Sequence, residues 1–221
     1  EPKKTSRLTT RKLFMSLDTA ELENYFLERF TTRFDIQSQL SLLFLLIGEK
    51  PGAMIMFVDE SKEELLKEFC RDFDLNFQKK ESDIHQIFYV TMDEKYFDLL
   101  ETVEDEGSFY TKKSMGKFLG YPAEAIDFFV QNSGNLRLRD DMREKIDDMI
   151  ENGDLTRENS YLLDLVMFTP ELTHKGVKNA VEIGERRREL LRQFDRQHDT
   201  ELGDKILEKI FNRSKPYFRT V

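Results

Sequence analysis

Residues 53–73 read AMIMFVDESKEELLKEFCRDF, a short apolar run followed at once by a charged, amphipathic stretch. The first part predicts a buried strand, because the run is short, apolar and bounded by turn-forming residues. Asp59 and Ser61 can then cap a helix, because their side chains accept hydrogen bonds from the first free backbone N–H groups. The stretch therefore predicts a strand that leads directly into a helix.

Two more strand patterns follow this helix. LNFQKK (75–80) and IHQIFYVTMD (84–93) are separated by a polar break, which is the pattern of a hairpin. Together they predict a β-α-β-β unit over about residues 53–92. We expect a small mixed or antiparallel sheet, with helices packed on one side of it.

The remainder of the chain has helical periodicity. Apolar residues at helical spacing start near Asp18, and residues 36–47 are apolar nearly all round, which predicts a deeply buried helix. Residues 161–168 fit either a fourth strand or a buried helix that ends before Pro170. Further helices are expected at about 93–104, 109–119, 122–132, 137–152, from about 172 onward, and at 200–213.

These patterns predict an α+β fold that is predominantly helical, with a sheet of three or four strands. The strands are placed at about 53–58, 75–79, 85–91 and, in one alternative, 161–168. Because no linker is long or polar enough to force a boundary, we expect one compact domain over residues 14–221. Residues 1–13 are polar and basic, and we expect them to form a flexible arm.

Charge and composition narrow the class of protein. The chain has 43 acidic and 34 basic residues, a net charge of −9, and its acidic middle lies between two basic ends. An acidic body repels a phosphate backbone, so nucleic-acid binding is disfavoured. A basic end of the chain could still bind nucleic acid, so this partner remains an alternative.

The compartment follows from cysteine content and hydropathy. Cys70 is the one cysteine in the chain, so no internal disulfide framework exists and a reducing compartment is expected. Residues 1–12 lack the apolar core of a signal peptide, and the longest apolar run, Leu40–Gly48, is much shorter than a membrane span. We expect a cytoplasmic protein without a membrane partner.

Common catalytic patterns are absent from the sequence. There is no glycine-rich phosphate loop, no HExxH and no GxSxG, and the three histidines are widely spaced. Cys70 lies on the apolar face of its helix, where a buried, inert thiol is expected. We therefore expect no catalytic residue, no cofactor and no metal, and we lean against an enzyme.

The segment KFLGYPAEAIDFFV (117–130) predicts a tight joint between two helices. Gly120 suits the position after a helix, and Pro122 suits the first turn of the next one. Apolar residues on both sides would pack the corner. This explanation requires no ligand, although the free N–H groups near Glu124 could face an anion.

Two segments carry a resemblance to a known family. GKFLGYPAEAIDFF (116–129) resembles a segment of an uncharacterised, largely archaeal family, domain of unknown function 483, in which Leu-Gly-Tyr-Pro is followed by cysteines and an aromatic residue. FTPELTHKGVKNA (168–180) resembles a later segment of that family, which leads into a long helix and often also carries cysteines. The resemblance covers about residues 100–195 and implies no established activity.

The chain departs from that family where the cysteines are expected. It has Ala123, Glu124 and Ala125 in the first segment, and Glu171 and His174 in the second. Without thiolates, no metal site is carried over from the resemblance. The same positions define an alternative hypothesis, a small-molecule pocket formed by Tyr121, Glu124, Glu171 and His174.

The long C-terminal helix combines an apolar face with a basic stripe. Arg188, Arg192 and Arg196 repeat at i, i+4 and i+8, which is unfavourable unless acidic residues offset it. One interpretation is a self-neutralised surface that uses Glu185, Glu189 and Asp195; the other is a site for an anion or an acidic partner. The apolar face would consist of Val177, Ala180, Val181, Gly184, Leu191 and Phe194.

The sequence leaves three functions open. The leading hypothesis is a non-catalytic interaction or regulatory protein that binds a protein partner or a second copy of itself. The second is a small-molecule binder or enzyme with the pocket at residues 120–124 and 171–174. The third is nucleic-acid binding through the N-terminal arm and the arginine stripe.

Overall fold

The computed structural model describes residues 18–57, 59, 61–81, 85–101 and 110–214. The basic arm expected at residues 1–13 and the end of the helix expected at 93–104 lie outside these residues. The chain divides into two compact units between Gly120 and Tyr121, within the Leu-Gly-Tyr-Pro segment. The expectation of one domain over residues 14–221 stays a prediction.

The first described elements of the first unit are helices that bury aromatic and aliphatic side chains. Asp18 caps helix α1 (Thr19–Glu23), which continues as a π-helix over Asn24–Arg29. Asp35 caps helix α2 (Ile36–Leu46). As predicted, α2 is buried nearly all round.

The β-α-β-β unit is confirmed. It consists of β1 (Gly52–Phe57), α3 (Ser61–Asp72), β2 (Asn76–Glu81) and β3 (Gln86–Thr91). Both strand pairs are antiparallel and the sheet order is β1-β3-β2, so the antiparallel alternative holds. Both outer strands pair with β3.

The expectation that helices cover one side of the sheet is wrong, because both faces of the sheet are packed. On one face, the Phe57 ring stacks on the Phe88 ring with 5.4 Å between the ring centroids, and its centroid lies 6.0 Å from that of Phe34. On the other, Tyr89 lies 5.9 Å from Phe118, at the end of a helix α4 (Lys112–Phe118). The physical reason is the run Ile87–Val90, which is apolar on both sides of the strand and must be covered twice.

The first unit ends at a glycine in a left-handed conformation. A 3₁₀ helix (Glu94–Leu99) precedes α4, and Gly120 follows it with φ of 71°. A Cβ added at Gly120 would lie 2.6 Å from Pro51 Cδ. Backbone conformation and steric fit therefore both require glycine at the predicted helix end.

The described residues of the second unit form helices joined by turns, and none of them forms a strand. Its elements are α5 (Ala123–Asn132), α6 (Leu138–Glu151), α7 (Arg157–Ser160), a 3₁₀ helix (Tyr161–Leu165), α8 (His174–His198) and α9 (Leu202–Ser214). Residues 161–168 therefore do not form the fourth strand that one alternative proposed. The fold is α+β and mainly helical, as predicted.

Helix α8 organises the second unit. All six residues of its predicted apolar face are buried. Gly184 allows the 3₁₀ helix to approach closely, because an added Cβ would lie 2.3 Å from the Leu162 carbonyl oxygen. Gly203 of α9 is similarly close to the Leu191 carbonyl, because a Cβ added at Gly203 would lie 2.6 Å from the Leu191 carbonyl oxygen.

Among the described residues, no helix combines the length and the apolar character that crossing a bilayer requires.

Candidate functional site

Tyr121 serves as a packing residue in the second unit. Its ring lies 5.6 Å from the ring of Phe168. Burial raises the pKa of the Tyr121 phenol to about 12, against a smaller opposing influence from the Arg187 guanidinium. The phenol therefore stays protonated at neutral pH and can act as a hydrogen-bonding group, but not as a base.

The other residues of the predicted pocket have separate neighbours. Glu124 is exposed in the first turn of α5, and the Glu171 backbone lies against Gly176. His174 is the first residue of α8. In the described part of the chain, no hydrogen bond or ion pair links Glu124 with Glu171 or His174. The pocket at residues 120–124 and 171–174 stays a prediction.

His174 belongs to a polar network with two lysines and an aspartate. Lys145 Nζ lies 3.0 Å from His174 Nδ1, and His174 Nε2 lies 3.0 Å from Asp154 Oδ2. Because an ammonium can only donate, Nδ1 accepts and Nε2–H donates to Asp154. Lys178 donates to the other Asp154 oxygen at 3.2 Å.

This network holds Asp154 in its ionised form. Hydrogen bonds from Lys178 and then from His174 lower the pKa of the carboxyl group. Both carboxylate oxygens are occupied, and the side chains are substantially exposed to solvent. The arrangement joins α6, the turn after it and the start of α8. Within the residues that the structure describes, no cluster of three or more His, Cys, Asp or Glu could hold a metal ion.

Each arginine of the predicted stripe has a partner within the second unit. Arg188 donates to the Tyr161 hydroxyl at 2.9 Å, and Arg196 donates to Glu189 at 2.6 Å. Arg192 lies 3.8 Å from Asp204. The carboxylate partners favour the self-neutralised interpretation for Arg192 and Arg196, whereas the Tyr161 hydroxyl carries no charge that could offset Arg188. The anion or acidic-partner site stays a prediction.

Asp195, however, does not offset the stripe. Its carboxylate is buried and accepts hydrogen bonds from Gly203 N at 2.8 Å and Asp204 N at 2.9 Å. It therefore satisfies free N–H groups at the start of α9. Burial is the largest influence on the pKa of Asp195 and raises it, against these two hydrogen bonds.

Arg187 is an important residue that the sequence pattern did not single out. It is buried, and its Nη1 donates to the carbonyl oxygens of Leu165 and Val166 at 2.8 and 2.5 Å. These carbonyls lie at the end of the 3₁₀ helix, where the helix has no further backbone N–H groups to donate to them. The run Arg186–Arg188 gives no signal of which arginine points inward; only the helical phase relative to Gly184 could have indicated it.

A cleft of about 430 Å³ opens in the first unit beside the π-helix. Arg29, at the end of the π-helix, pairs with Glu68 at 2.5 Å and lies 4.5 Å above the Tyr25 ring. Tyr25 in turn donates to Asp72. The acidic and basic side chains of this cleft are mixed, and its lining consists of Glu28, Arg29, Thr32, Arg33, Ser61, Glu64, Leu65 and Glu68.

Cys70 is confirmed as a buried residue. Its side chain is almost fully covered within α3, and burial raises the pKa of the thiol to about 12. A thiol with this pKa is almost entirely protonated at neutral pH, so it is a poor nucleophile.

Large apolar side chains are exposed in two places of particular interest. In the second unit, Phe129 and Val130 of α5 are 40% and 39% exposed, and Leu136 in the following turn is 99% exposed. In the first unit, Met56 on the outer strand β1 is 49% exposed. Neither feature could be identified from the sequence, because the apolar pattern alone does not show which face a neighbour covers.

Comparisons with protein-family models, with curated proteins and with solved structures gave no match for this chain. The resemblance to domain of unknown function 483 stays a prediction.

Proposed function

We propose that this protein is a non-catalytic interaction protein that docks a protein partner through residues 129–136. The observation that carries the proposal is the complete exposure of Leu136 in a turn between two helices. Phe129 and Val130 precede it by a few residues and are also exposed. We name these three side chains the 129–136 surface.

The energetics of burial support a protein partner for this surface. Fully burying a leucine or phenylalanine side chain contributes about 1.5–3 kcal/mol. A side chain that projects from a turn, as Leu136 does, fits a concave apolar pocket on another protein. Aromatic anchors such as Phe129 are frequent at the centres of protein interfaces.

Polar groups next to the surface provide a hydrated rim. Asn135 donates to Asp141 at 3.0 Å, and Arg137 lies 3.7 Å from Glu144. These contacts order the start of α6 and place charges around Leu136. An apolar centre with a polar rim is the usual arrangement of a protein interface.

The two alternative functions have less support. The small-molecule hypothesis depends on Tyr121, Glu124, Glu171 and His174. Tyr121 packs on Phe168, Glu171 lies against Gly176, and His174 bonds to Lys145 and Asp154, so the described neighbours of these three residues differ. The nucleic-acid hypothesis depends on the N-terminal arm, which lies outside the described residues, and on an arginine stripe whose members already have partners in the second unit. Both stay open to direct binding measurements.

The test is quantitative affinity capture from cells of the source organism, with the wild-type protein and the Leu136→Ser variant as baits. We expect partners of the wild type to bind the variant at least about tenfold more weakly, because tenfold corresponds to about 1.4 kcal/mol. Leu99→Ser, the same change at a 36% exposed leucine of the first unit, is the matched control. Equal recovery of every partner by the wild type and Leu136→Ser would overturn the proposal.

A further inference from the structure

The cleft beside the π-helix lies between two walls of side chains. One wall belongs to α3 and runs from Ser61 to Glu68, which is about 10 Å along the axis of an α-helix. The other wall comes from the π-helix and the turn after it, and an ion pair of 2.5 Å between Arg29 and Glu68 joins the two walls at one end. The volume of about 430 Å³ suits a small metabolite.

The π-helix is held firmly against α3. Its characteristic hydrogen bond runs from Phe30 N to the Tyr25 carbonyl oxygen at 2.7 Å, and the Tyr25 hydroxyl donates to Asp72 of α3. Arg29 lies 4.5 Å above the Tyr25 ring. π-Helices are rare and are frequently found at functional sites. The cleft is therefore bounded by an unusual element whose position these contacts fix.

Two charged side chains of the cleft, Glu28 and Arg33, make no side-chain hydrogen bond or ion pair within the described residues. Both are exposed to solvent. Glu64, which also lines the cleft, already pairs with Lys67 at 3.2 Å. One carboxylate and one guanidinium are therefore available to groups of opposite charge on a ligand.

These two charges lie toward different ends of the cleft. Arg33 is near Asp59, just before α3: hydrogen bonds from Ser61 lower the pKa of the Asp59 carboxyl group, and Arg33 adds a smaller electrostatic contribution. Glu28 is next to Arg29, at the end where the ion pair with α3 joins the walls. The cleft therefore has a cationic group toward one end and an anionic group toward the other.

We propose that this cleft binds a small zwitterionic molecule with a carboxylate and an ammonium group at opposite ends, such as a dipeptide or an ω-amino acid. Arg33 binds the carboxylate and Glu28 binds the ammonium group through charge-assisted hydrogen bonds. Leu65 lines the cleft and contacts the chain between the two charges. The cleft shares no residue with the 129–136 surface, so this inference goes beyond the proposed function.

The first experiment titrates the full chain with ε-aminocaproate and follows amide NMR spectra. We expect saturable shifts of amides in residues 28–33 and 61–68. Caproate and hexylamine each carry one of the two charges, and glycine carries both charges too close together to reach both partners. We expect each of these three probes to bind at least about tenfold more weakly, because each satisfies one charged side chain alone.

The second experiment removes one charge of the cleft at a time. Arg33→Gln and Glu28→Gln should each weaken the binding of ε-aminocaproate about tenfold. Arg33→Gln should leave the affinity for hexylamine unchanged, and Glu28→Gln should leave the affinity for caproate unchanged. The matched controls are Arg71→Gln and Glu94→Gln, at exposed residues of the first unit outside the cleft, and both should bind like the wild type.

Each possible outcome decides the proposal. It is overturned if ε-aminocaproate shows no saturable binding up to about 10 mM, or if caproate or hexylamine binds equally well. An equal loss of affinity in Arg33→Gln and Arg71→Gln overturns it as well. If a cleft variant does not fold, as judged by circular dichroism, the comparison of the four probes on the wild type still decides. Leu136→Ser should bind ε-aminocaproate like the wild type, which separates this inference from the proposed function.

Discussion

Replacement of Arg187 by methionine should destabilise the second unit more than its place in a run of three arginines implies. The Arg187 guanidinium donates to the buried carbonyls of Leu165 and Val166, at the end of the 3₁₀ helix. Methionine fills much of the space of the arginine stem but cannot donate a hydrogen bond. The change therefore removes the donor while it largely preserves the packing.

The expected loss in free energy of unfolding follows from the two carbonyls that lose their donor. Each buried carbonyl left without a donor costs about 1–3 kcal/mol, and removing the buried charge recovers part of that sum. We expect the free energy of unfolding to fall by about 2–4 kcal/mol. For a unit of this size, about 1 kcal/mol corresponds to a shift of about 4–8 °C in Tm, so the unit should melt at least about 8 °C lower.

The assay should report on each unit separately, because two compact units need not unfold together. Hydrogen exchange followed by mass spectrometry provides this, with peptides from residues 157–198 compared with peptides from the sheet of the first unit. Arg186→Met is the matched control, because Arg186 is the exposed neighbour in the same helix. We expect it to change stability by no more than about 0.5 kcal/mol.

If Arg187→Met and Arg186→Met lose the same protection in α8 and the 3₁₀ helix, the hydrogen bonds to Leu165 and Val166 do not stabilise the unit and the reasoning is wrong. Loss of protection confined to the first unit would contradict it equally.

Two further predictions concern packing and pH in the second unit. Gly184→Ala should lower the free energy of unfolding by about 1–3 kcal/mol, because overpacking against the Leu162 backbone outweighs the gain in helix propensity of about 1 kcal/mol. The control for thermal unfolding is Gly134→Ala, because no atom lies within 4 Å of a Cβ added at Gly134. Equal stability of the two variants would refute the clash. Because burial raises the pKa of Tyr121 to about 12, its contribution to stability is fully present below about pH 10 and is lost as pH rises toward 12. Tyr121→Phe should therefore weaken the alkaline loss of stability measured by denaturant unfolding between these pH values, and an unchanged pH profile would contradict that assignment.

Much of the fold could be predicted from the sequence. Short apolar runs and caps placed the strands of the β-α-β-β unit, and helical periodicity located the buried face of α8 correctly. Gly120 was predicted at a helix end, and its φ of 71° is the backbone state for which glycine is favoured. These features are local: each depends on the preferences of a few neighbouring residues.

The proposed docking surface and the proposed binding cleft could not be found by the same reasoning. The sequence directed attention to Tyr121, Glu124, Glu171 and His174, whereas the proposals depend on the 129–136 surface and on the cleft beside the π-helix. A charged residue on a helix has the same pattern whether or not a residue distant in sequence pairs with it. Exposure and pairing are properties of the assembled chain, so no local pattern reports them.

By itself, the sequence determined most of the segments that form helices and strands and the apolar face of α8, because backbone preference and hydrophobic periodicity act over a few residues. It left residues 161–168 open between a strand and a helix, which the structure resolves as a 3₁₀ helix over Tyr161–Leu165. Only the tertiary structure decided that β3 takes the centre of the sheet and leaves β1 at an edge, and that Arg187 turns inward while Arg186 faces solvent. Both outcomes depend on contacts between residues distant in sequence, whose packing and hydrogen bonds select one arrangement from several that the local patterns allow.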